Sequence, residues 1–347
     1  MRAFLLLCLM SCPVGAEVVV VKNTAELRAA LGKLAKGDIL KIGPGEYAAD
    51  LHVAGIGDLT VEALDATAPP HFKGGKQAWH FSRCEGLKLR HVKCSGQSAN
   101  GINLDDGGKR EDPVKGILLE GVEVSDIGPK GNFDAIKCSG LQGLRIKDCT
   151  ISGWGGQAID LVGCSESVIE GCTITGKEGY SQHTGPQFKG GCRDITIRNC
   201  VLKNAGERPI QAGGSTGLDY FRPPGVKYEA KDIIIRDNTI EGGMCATAFT
   251  GVDGAEFTGN KIVNPEKWVF RVLQETKEEG FAPCRNVKIA GNEIRFLREK
   301  VGAEVNVGGG TAVETFRFEG NTWVATDRPE RSKPKLPVEE VAGKYGE

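Results

Sequence analysis

Charged and amide side chains recur at one position of a repeated apolar–polar pattern through the middle of the chain. Lys137, Asp160 and Lys189 each follow an apolar residue, and so do Gln211 and Arg271 further along. Because successive residues of a strand point to opposite faces, we expect these five side chains on one solvent-facing surface. Ammonium, carboxylate and guanidinium groups in adjacent positions can bind charged sugars and transfer protons. This row is therefore the first candidate for a functional site.

The whole row contributes one polar residue from each repeat. It comprises Asn103, Lys137, Asp160, Lys189, Gln211, Thr250, Arg271 and Asn306, and the apolar residues before them are Ile102, Ile136, Ile159, Phe188, Ile210, Phe249, Phe270 and Val305. If successive repeats stack as neighbouring strands, the four members from Lys137 to Gln211 form a ribbon about 15 Å long, the length of a few sugar units. The alternative is that solvent-facing strand positions are simply polar and form a salt-bridge ladder.

The longest insertions between repeats surround this ribbon and carry side chains suited to gripping sugars. They span residues 96–113, 128–133, 177–187 and 213–228. Loops on a rigid scaffold commonly wall a binding cleft. Tyr180, His183, Arg208, Tyr220 and Arg222 lie in or beside these loops and provide aromatic, imidazole and guanidinium groups.

A short phrase recurs along almost the whole chain and would position this row. The phrase has two apolar residues at alternate positions and a closing residue three positions later, as in Leu144, Ile146 and Cys149. The closing residues are Val92, Val122, Cys149, Cys172, Cys200, Asn238, Asn260, Asn292 and Asn321, separated by 22 to 38 residues. Such a period indicates a stacked-repeat architecture, and the alternation within each phrase is typical of strands. Nothing between the phrases resembles a crossover helix, so we predict a solenoid of parallel strands.

Residues that hold the same place in successive coils stack on one another. The Asn half of the closing column can form an amide ladder, and the Cys half can pack as small apolar groups. Eight residues upstream lies a second column that contains only apolar residues and cysteine. Its members are Cys84, Val114, Leu141, Cys164, Cys192, Ala230, Val252, Cys284 and Val313. We therefore expect both columns to face the core.

This pattern resembles the right-handed parallel β-helix superfamily, the pectate-lyase-like fold, over roughly residues 18–325. The resemblance and the general preference for right-handed crossovers imply an all-β, single-stranded right-handed parallel β-helix. Before the first coil, Asn23 and Glu26 fit a helix start, and Leu27, Leu31 and Leu34 mark one helical face, which predicts an N-terminal capping helix. We assign residues 17–327 to the β-helix domain and expect residues 328–347 to form an extended or disordered tail.

Composition and the first residues bear on location and partners. The 347 residues carry a formal net charge of −1, which gives no reason to expect nucleic acid as a partner. Residues 1–16 combine Arg2, an apolar run and a small-residue cleavage site, which predicts a signal peptide and a periplasmic or secreted protein. In the alternative, Cys12 is the lipidated residue of a bacterial lipoprotein. No other segment is apolar enough to cross a membrane, and we expect a monomer.

The cysteine and histidine residues show no spacing typical of a metal site. Ten of the twelve cysteines follow residue 16, none is paired as Cys-x-x-Cys, and most fall in the two inward columns. Packed thiols are therefore the expectation, with vertical disulfides, such as one between Cys164 and Cys192, as the alternative. Four of the five histidines, His52, His71, His80 and His91, are scattered and are interpreted as structural. We predict no metal ligands.

The stretch QFKGGCRDITIRNCVLKNAGERPIQAGGSTG, residues 187–217, resembles the catalytic coil of the chondroitinase-B and alginate-lyase group of β-helix lyases. That group places a lysine on one coil and an arginine on the next. Lys189 matches the lysine, the arginine falls on Gln211, and Arg208 lies nearby. Gln182 and Thr184 replace the acidic pair that binds calcium, so calcium lacks its usual ligands here. The KGG, GGSTGLDYFRP and GVDGA phrases resemble more closely a set of uncharacterised exported bacterial β-helix proteins.

The resemblance implies β-elimination on a uronate-containing, anionic polysaccharide, which needs a base, a group that neutralises the carboxylate and an acid for the leaving oxygen. Lys189 is the predicted base. The Asp160 carboxylate, about 5 Å away, would attract the Lys189 ammonium group by about 3 kcal/mol and so favour the protonated lysine. His183 is therefore an alternative base. The catalytic candidates are Lys189, Arg208 and His183, and the substrate-binding candidates are Lys137, Asp160, Gln211, Arg271, Tyr180, Tyr220 and Arg222.

Two other functions stay open. A glycoside hydrolase needs two carboxylates across the scissile bond, which Asp105 and Asp106 with Asp134 or Asp160 would supply, although the paired aspartates also fit a polar turn. A non-catalytic carbohydrate-binding or structural β-helix would tolerate the loss of acid–base groups, such as the glutamine at the family's arginine position. The fold hosts lyases, hydrolases and adhesins, so architecture alone does not decide among these functions.

Overall fold

The computed structural model describes residues 15–346, which form a solenoid of three parallel β-sheets. A typical coil contributes one strand to each sheet, and that strand pairs in parallel with its equivalents in the neighbouring coils. The core lies between the three sheets and extends from Val21 to Ala325. The predicted all-β solenoid is confirmed. Residues 1–14 of the predicted signal peptide, with the alternative lipidation site Cys12, lie outside the described residues.

The strands are numbered in chain order and grouped here by sheet. The 15-stranded sheet contains β1 (Val18–Val21), β2 (Ile39–Ile42), β5 (Thr60–Ala63), β8 (Lys88–Arg90), β11 (Val114–Lys115), β12 (Leu118–Glu120), β15 (Leu141–Gln142), β16 (Arg145–Lys147), β19 (Ser165–Glu170), β22 (Cys192–Arg198), β25 (Ala230–Arg236), β28 (Val252–Thr258), β31 (Arg285–Ala290), β34 (Arg317–Glu319) and β36 (Glu340–Val341). The 12-stranded sheet contains β3 (Glu46–Ala48), β6 (His71–Lys73), β9 (Lys93–Ser95), β13 (Glu123–Ile127), β17 (Thr150–Trp154), β20 (Thr173–Thr175), β23 (Val201–Lys203), β26 (Thr239–Glu241), β29 (Lys261–Val263), β32 (Glu293–Phe296), β35 (Thr322–Ala325) and β37 (Lys344–Tyr345). The ten-stranded sheet contains β4 (Leu51–Ala54), β7 (Trp79–Ser82), β10 (Ile102–Asp105), β14 (Ile136–Ser139), β18 (Gln157–Val162), β21 (Thr184–Lys189), β24 (Ile210–Gly213), β27 (Cys245–Thr250), β30 (Trp268–Leu273) and β33 (Val305–Val307).

Helical structure is sparse in residues 15–346. The α-helix α1 (Thr24–Leu31) follows β1, and short 3-10 helices cover Leu218–Tyr220, Val313–Thr315 and Pro329–Arg331. The Asn23 side chain accepts a hydrogen bond from the Glu26 backbone N–H at 2.9 Å and so begins α1. Leu27 is buried in the core, but the role of α1 as a cap stays a prediction. Across this part of the chain, no helix combines the length and apolar character needed to cross a lipid bilayer.

The closing column faces the core, and its nine members are at most 1% exposed. Asn238 donates from Nδ2 to Oδ1 of Asn260 at 2.9 Å, and equivalent bonds link Asn260 to Asn292 at 3.1 Å and Asn292 to Asn321 at 2.7 Å. Each of these acceptor oxygens also accepts from the backbone N–H of the preceding asparagine. The predicted amide ladder therefore satisfies side-chain groups that would be costly to bury alone.

The second inward column is buried from Cys84 to Cys284, whereas Val313 lies on a 3-10 helix and is half-buried. The ten cysteines from Cys84 to Cys284 are all buried and free of disulfides. The Cys192 sulfur accepts a hydrogen bond from the Cys164 backbone N–H at 3.3 Å in place of the alternative disulfide. The thiols thus pack as small core groups.

The predicted outer row has the right face but the wrong register at Lys189. Lys189 pairs with Val162, two residues beyond the expected partner. Gln187 is the residue that stacks between Asp160 and Gln211. A shift of two residues keeps every side chain on its face, so alternation alone cannot reveal it.

The same two-residue shift occurs at β27. Thr250 lies beside Gly213, and Ala248 stands between Gln211 and Arg271 in the row. The inward residues Phe188 and Phe249 move with their neighbours into a second apolar column. Both β21 and β27 have six residues, long enough to offer two outward positions of the same parity.

The segment after residue 327 differs from the expected extended or disordered tail. β36 pairs with β34, and β37 pairs with β35, so the tail adds a final partial coil. Glu340 ends the amide ladder, because its Oε1 accepts from Asn321 Nδ2 at 2.7 Å and its Oε2 accepts from Trp323 Nε1 at 2.9 Å. The Pro- and Lys-rich composition did not indicate this ordered coil, because only a few residues of the tail form β36, β37 and the hydrogen bonds of Glu340.

Candidate functional site

A groove with a volume of about 770 Å³ runs along the outer face of the ten-stranded sheet. Its floor is formed by β7, β10, β14, β18 and β21, and part of the loop 214–228 forms one wall. Five of the predicted site residues line it: Lys137, Asp160, Lys189, Tyr220 and Arg222. A depression of similar size, about 810 Å³, lies on the outer face of the 15-stranded sheet and contains none of the predicted site residues.

Two lysines and two aspartates form a network at the centre of the groove floor. Lys137 Nζ lies 2.9 Å from Asp134 Oδ2 and 2.6 Å from Asp160 Oδ2. Lys189 Nζ lies 3.0 Å from Asp160 Oδ1. The aspartate side chains are at most 1% exposed, whereas those of Lys137 and Lys189 are 31% and 17% exposed. A ligand in the groove therefore meets the ammonium groups and not the carboxylates.

The network shifts the pKa values of its members in different directions. Burial and the neighbouring Asp160 raise the pKa of Asp134 to about 6. Burial alone would also raise the pKa of Asp160, but the ammonium groups of Lys189 and Lys137 outweigh it and lower that pKa. Burial disfavours the charged form of Lys137, yet Asp160 and Asp134 raise its pKa above the usual value. Asp160 is thus held ionised, and Asp134 titrates near neutrality.

Neighbouring coils hold Asp134 in place. The Gln157 backbone N–H donates to Asp134 Oδ1 at 2.9 Å, and the Asp134 backbone N–H donates to Asn100 Oδ1 at 2.8 Å. Asn100 Nδ2 in turn donates to Asn103 Oδ1 at 3.1 Å. Both adjacent coils therefore fix the Asp134 carboxylate, and this carboxylate in turn orients the Lys137 ammonium group.

The loop 214–228 folds back over the groove and is fixed from two sides. Arg222 Nε donates to Asp106 Oδ2 at 2.6 Å, and both side chains are nearly buried. The fully buried Glu229 accepts from the backbone N–H groups of Gly190 at 2.9 Å and Thr216 at 2.8 Å. One carboxylate therefore joins the wall of the groove to the residue after Lys189.

His80 and Asp105 line the groove nearer the N-terminus, although the sequence interpretation treated His80 as structural and assigned Asp105 either to a hydrolase or to a polar turn. His80 Nε2 lies 2.6 Å from Asp105 Oδ2, and Ser82 Oγ donates to Asp105 Oδ1 at 2.7 Å. Burial would raise the pKa of Asp105, but these hydrogen bonds outweigh it and lower the value to about 2. His52 and His80 lie one coil apart from each other, in the same column as Lys137. This shared column is the sequence signal that could have identified His80 as a groove residue.

The other five predicted site residues are not among those that line the groove: Tyr180, His183, Arg208, Gln211 and Arg271. Tyr180 donates its hydroxyl to Asp126 at 3.1 Å, near the 12-stranded sheet. His183 is exposed on its loop. Arg208, Gln211 and Arg271 lie on or beside strands of the same sheet, toward its C-terminal end. The predicted set therefore divides between the groove and two places outside it.

The coils that build the groove also carry the family signature. Residues 79–262 match the model of the right handed beta helix region, and this range is more than half of the 347 residues. It contains β7, β10, β14, β18 and β21, the strands of the groove floor. The chain belongs to the right-handed β-helix family. No curated protein sequence matches this β-helix chain.

Solved structures that resemble this β-helix protein include enzymes and an adhesin. An alginate lyase from Paenibacillus sp. strain FPU-7 has a TM-score of 0.56 at 16% identity, over 85% of this chain and 99% of the lyase. An endo-xylogalacturonan hydrolase from Aspergillus tubingensis has a TM-score of 0.58 at 11% identity, over 94% and 100%. The surface protein and adhesin PfbA of Streptococcus pneumoniae has a TM-score of 0.54 at 13% identity, over 92% and 84%. At these identities the likeness shows the fold alone.

The position that binds calcium in the resembling β-helix lyases does not fit a metal ion here. Gln182 Oε1 accepts from the Lys177 backbone N–H at 2.8 Å, and Thr184 Oγ1 donates to the Gly185 carbonyl at 3.3 Å. Both side chains are used locally, and neither supplies the carboxylate charge that calcium prefers. Within residues 15–346, no three His, Cys, Asp or Glu side chains are grouped to hold a metal.

The carboxylates of the β-helix groove are poorly arranged for glycoside hydrolysis. Asp134 and Asp160 have no exposed surface and share the Lys137 ammonium group, so neither reaches a glycosidic oxygen. Asp105 is partly exposed, but its low pKa keeps it ionised and prevents it from acting as the acid. Hydrolysis needs a protonated and an ionised carboxyl group on opposite sides of the bond.

Proposed function

We propose that this protein binds a uronate-containing polysaccharide in the groove and cleaves it by β-elimination. The proposal is carried by the two ammonium groups of Lys137 and Lys189, which reach the groove above the buried Asp160. Charge-assisted hydrogen bonds to a carboxylate are stronger than neutral ones. A sugar carboxylate that enters between the lysines therefore gains two such bonds in a partly water-excluded position.

The two lysines differ in the carboxylates that they contact. Lys137 contacts the carboxylates of Asp134 and Asp160, whereas Lys189 contacts the shared carboxylate of Asp160 and donates to the neutral Gln187 Oε1 at 3.5 Å. We therefore assign Lys137 to neutralise the uronate carboxylate and Lys189 to take the proton from C5. The bond from C4 to the leaving oxygen then breaks, and a double bond forms between C4 and C5. Tyr220, 65% exposed on the loop wall, donates the proton to the leaving oxygen.

Binding without cleavage is the second candidate function, and a specific contact favours it. The Asp160 carboxylate lies 3.0 Å from Lys189 Nζ and stabilises the ammonium form. An ammonium group has no lone pair with which to accept the C5 proton. In this candidate both lysines grip the polysaccharide and no bond breaks.

A substrate panel separates these functions. The full-length protein is incubated with alginate, pectate and glycosaminoglycans, and ultraviolet absorbance of unsaturated uronate ends is followed together with new reducing ends. We expect both signals to rise together on one substrate. Reducing ends without absorbance indicate a hydrolase, and retarded migration in affinity gels without either signal indicates binding alone. A protein that neither binds nor cleaves any member contradicts both candidates.

Export belongs to the same proposal, because such polysaccharides lie outside the cell. The predicted signal peptide covers residues 1–16, with Cys12 as the alternative lipidation site. Mass spectrometry of the mature N-terminus tests this step. Glu17 as the first residue supports cleavage after Ala16, lipidated Cys12 supports the lipoprotein, and an uncleaved Met1 contradicts export through either route.

A further inference from the structure

We infer that a second anion-binding subsite lies beyond the groove, and that it holds a further uronate of the same polysaccharide chain. Arg208, Gln211 and Arg271 form this arginine subsite. The inference rests on the proposed polysaccharide ligand. Because none of the three residues is among those that line the groove, the two sites can be removed separately.

Strand register brings the members of the arginine subsite together. Gln211 pairs with Ala248, and Ala248 pairs with Arg271, so a single methyl group separates the amide from the guanidinium group along the row. Ala248 has no exposed surface, which shows that longer side chains cover it. Burial raises the pKa of the Cys245 thiol to about 12, and the charges of Arg208 and Arg271 oppose that rise. Both arginines therefore lie near the strand between them.

Each member of the arginine subsite has a polar atom that the described part of the chain leaves unpaired. The Nε atoms of Arg208 and Arg271 and the Oε1 atom of Gln211 are buried and have no hydrogen-bond partner within residues 15–346. Gln211 as a whole is 3% exposed. Buried polar groups normally find a partner, and three unpaired atoms in two coils that a single coil separates indicate a place for a polar ligand.

Neighbouring side chains of the described residues orient Arg208 and Arg271 but accept no hydrogen bonds from their guanidinium N–H groups. The Arg271 guanidinium group lies over the Trp268 ring, 5.1 Å from its centroid, which fixes its direction but uses none of its N–H groups. The Glu207 carboxylate lies 3.7 Å from Arg208, which is too long for a hydrogen bond. The donors thus stay available to an anion.

The set of unpaired atoms selects the chemical class of the ligand. Two charged donors require an anionic acceptor, and the amide oxygen of Gln211 requires a donor. A uronic acid residue provides both, because its carboxylate accepts from the arginines and a ring hydroxyl donates to Gln211. A sulfate ion provides acceptors only and leaves Gln211 unpaired. We therefore assign the subsite to a uronate.

The spacing of the two sites sets the length of the ligand. The register crosses three strands from Asp160 to Ala248, which corresponds to about 14 Å at about 4.8 Å per strand. A polysaccharide chain with one carboxylate between Lys137 and Lys189 reaches the arginine subsite with a sugar a few units away. Longer oligomers should therefore gain affinity that short ones lack.

The test compares short and long oligouronates. Affinities for disaccharides and hexasaccharides of mannuronate, guluronate and galacturonate are measured by calorimetry at low temperature, with oligomer integrity checked by mass spectrometry. The variant Arg208→Gln/Arg271→Gln removes the subsite, and Arg193→Gln/Arg236→Gln removes two exposed arginines of the 15-stranded sheet as the matched control. We expect the first variant to bind the best hexasaccharide at least about tenfold more weakly, with disaccharide affinity unchanged.

Separate outcomes address the subsite and the groove. Wild-type hexasaccharide affinity in the subsite variant overturns the subsite and leaves the groove proposal standing. Lost hexasaccharide binding in that variant but not in Lys137→Ala supports the subsite and contradicts the groove. If the subsite variant fails to unfold cooperatively, Arg208→Lys/Arg271→Lys decides instead, because it keeps the charge and loses the planar fork. Severalfold weaker hexasaccharide binding then supports the subsite, and unchanged binding overturns it. A wild-type protein that binds none of the hexasaccharides overturns both.

Discussion

Asp160 has no exposed surface, yet it determines which charges the groove presents to a ligand. Its carboxylate pairs with Lys137 and Lys189, and these pairs keep it ionised in spite of burial. A buried carboxylate that loses all its partners is strongly destabilising. The two lysines therefore serve the stability of the coil as well as any ligand, and variants of one lysine must be judged with the other still in place.

Replacement of Lys189 by alanine separates catalysis from binding. If Lys189 is the base, kcat falls by about 10² or more, which is the usual contribution of a general base. Lys137 still pairs with Asp160, so we expect the variant to fold and to melt within a few degrees of the wild type. Steady-state kinetics on the best substrate of the panel provide kcat and KM. Lys203→Ala, which removes an exposed lysine of the 12-stranded sheet, is the control.

A different outcome assigns Lys189 another role. A raised KM with unchanged kcat shows that the lysine grips the substrate and does not take its proton. Full activity of Lys189→Ala on that substrate rules out the lyase mechanism as proposed.

The raised pKa of Asp134 predicts that anion binding depends on pH. The folded protein holds this proton up to about pH 6, well above the ordinary range for aspartate. Below that pH Asp134 is neutral, and Lys137 and Lys189 face only the Asp160 carboxylate. Affinity for an oligouronate should therefore fall as pH rises through about 6, in titrations between about pH 5 and pH 7.

The variant Asp134→Asn tests whether Asp134 causes the pH dependence of anion binding. Asp134→Asn keeps a side chain that accepts from Gln157 but removes the titration, so the pH dependence between these limits should flatten. His80→Gln is the matched control, because it removes a different titratable side chain from the same groove. Flattening in the histidine variant but not in Asp134→Asn contradicts this assignment.

The strands show what a sequence pattern specifies and what it leaves open. Alternation predicted which side chains face the core, and the spacing of Asn238, Asn260, Asn292 and Asn321 predicted their stacking. It did not predict the pairing of Lys189 with Val162, because a two-residue shift preserves the face of every side chain. The face that carries the row was thus predictable from sequence, whereas the order of residues along it and the part of the sheet that forms the groove required coordinates.

Asn260 tests how much the amide ladder stabilises the solenoid. Its Nδ2 donates to Asn292 Oδ1 at 3.1 Å and to the Ile235 carbonyl at 3.0 Å, and the residue is 1% exposed. Asn260→Asp puts a buried negative charge against these oxygens, so we expect a loss of about 3 kcal/mol or more in the free energy of unfolding. Urea unfolding followed by circular dichroism measures it.

The control for the ladder is an exposed asparagine in the equivalent turn two coils away. Asn199 is exposed and has a φ of 53°, a conformation that aspartate also tolerates. Asn199→Asp should change the free energy of unfolding by less than about 0.5 kcal/mol. Equal stability of the two variants would show that the ladder accommodates the charge and contributes little.

The groove as a whole depends on contacts between residues far apart in the chain. Arg222 reaches Asp106 across 116 residues, and Glu229 also holds the loop that carries Arg222. No repeat or motif indicates such a contact, because it joins an insertion to a coil and not one coil to the next. The repeat pattern also does not specify how an insertion folds. The sequence therefore placed Tyr180 and His183 beside the ribbon, whereas the structure places them away from the groove.

The ten cysteines from Cys84 to Cys284 report on the integrity of the whole solenoid. All are buried, and burial raises the pKa of Cys245 and Cys284 to about 12. Because the thiolate is the reactive form, iodoacetamide should label none of them in the native protein and all of them after unfolding without reductant. Peptide mass spectrometry counts the labels, and Ser98→Cys provides an exposed thiol as the positive control.

Mild denaturant should reveal an order among these thiols. Each coil contacts only its neighbours, so a solenoid opens most readily from its ends, and its central coils open last. We expect Cys84 and Cys284 to be labelled before Cys164, which lies among the central coils. Simultaneous labelling of all ten would show that the molecule unfolds as one cooperative unit. A pair such as Cys164 and Cys192 that resists labelling in full denaturant until reductant is added would reveal a disulfide and contradict the packed-thiol core.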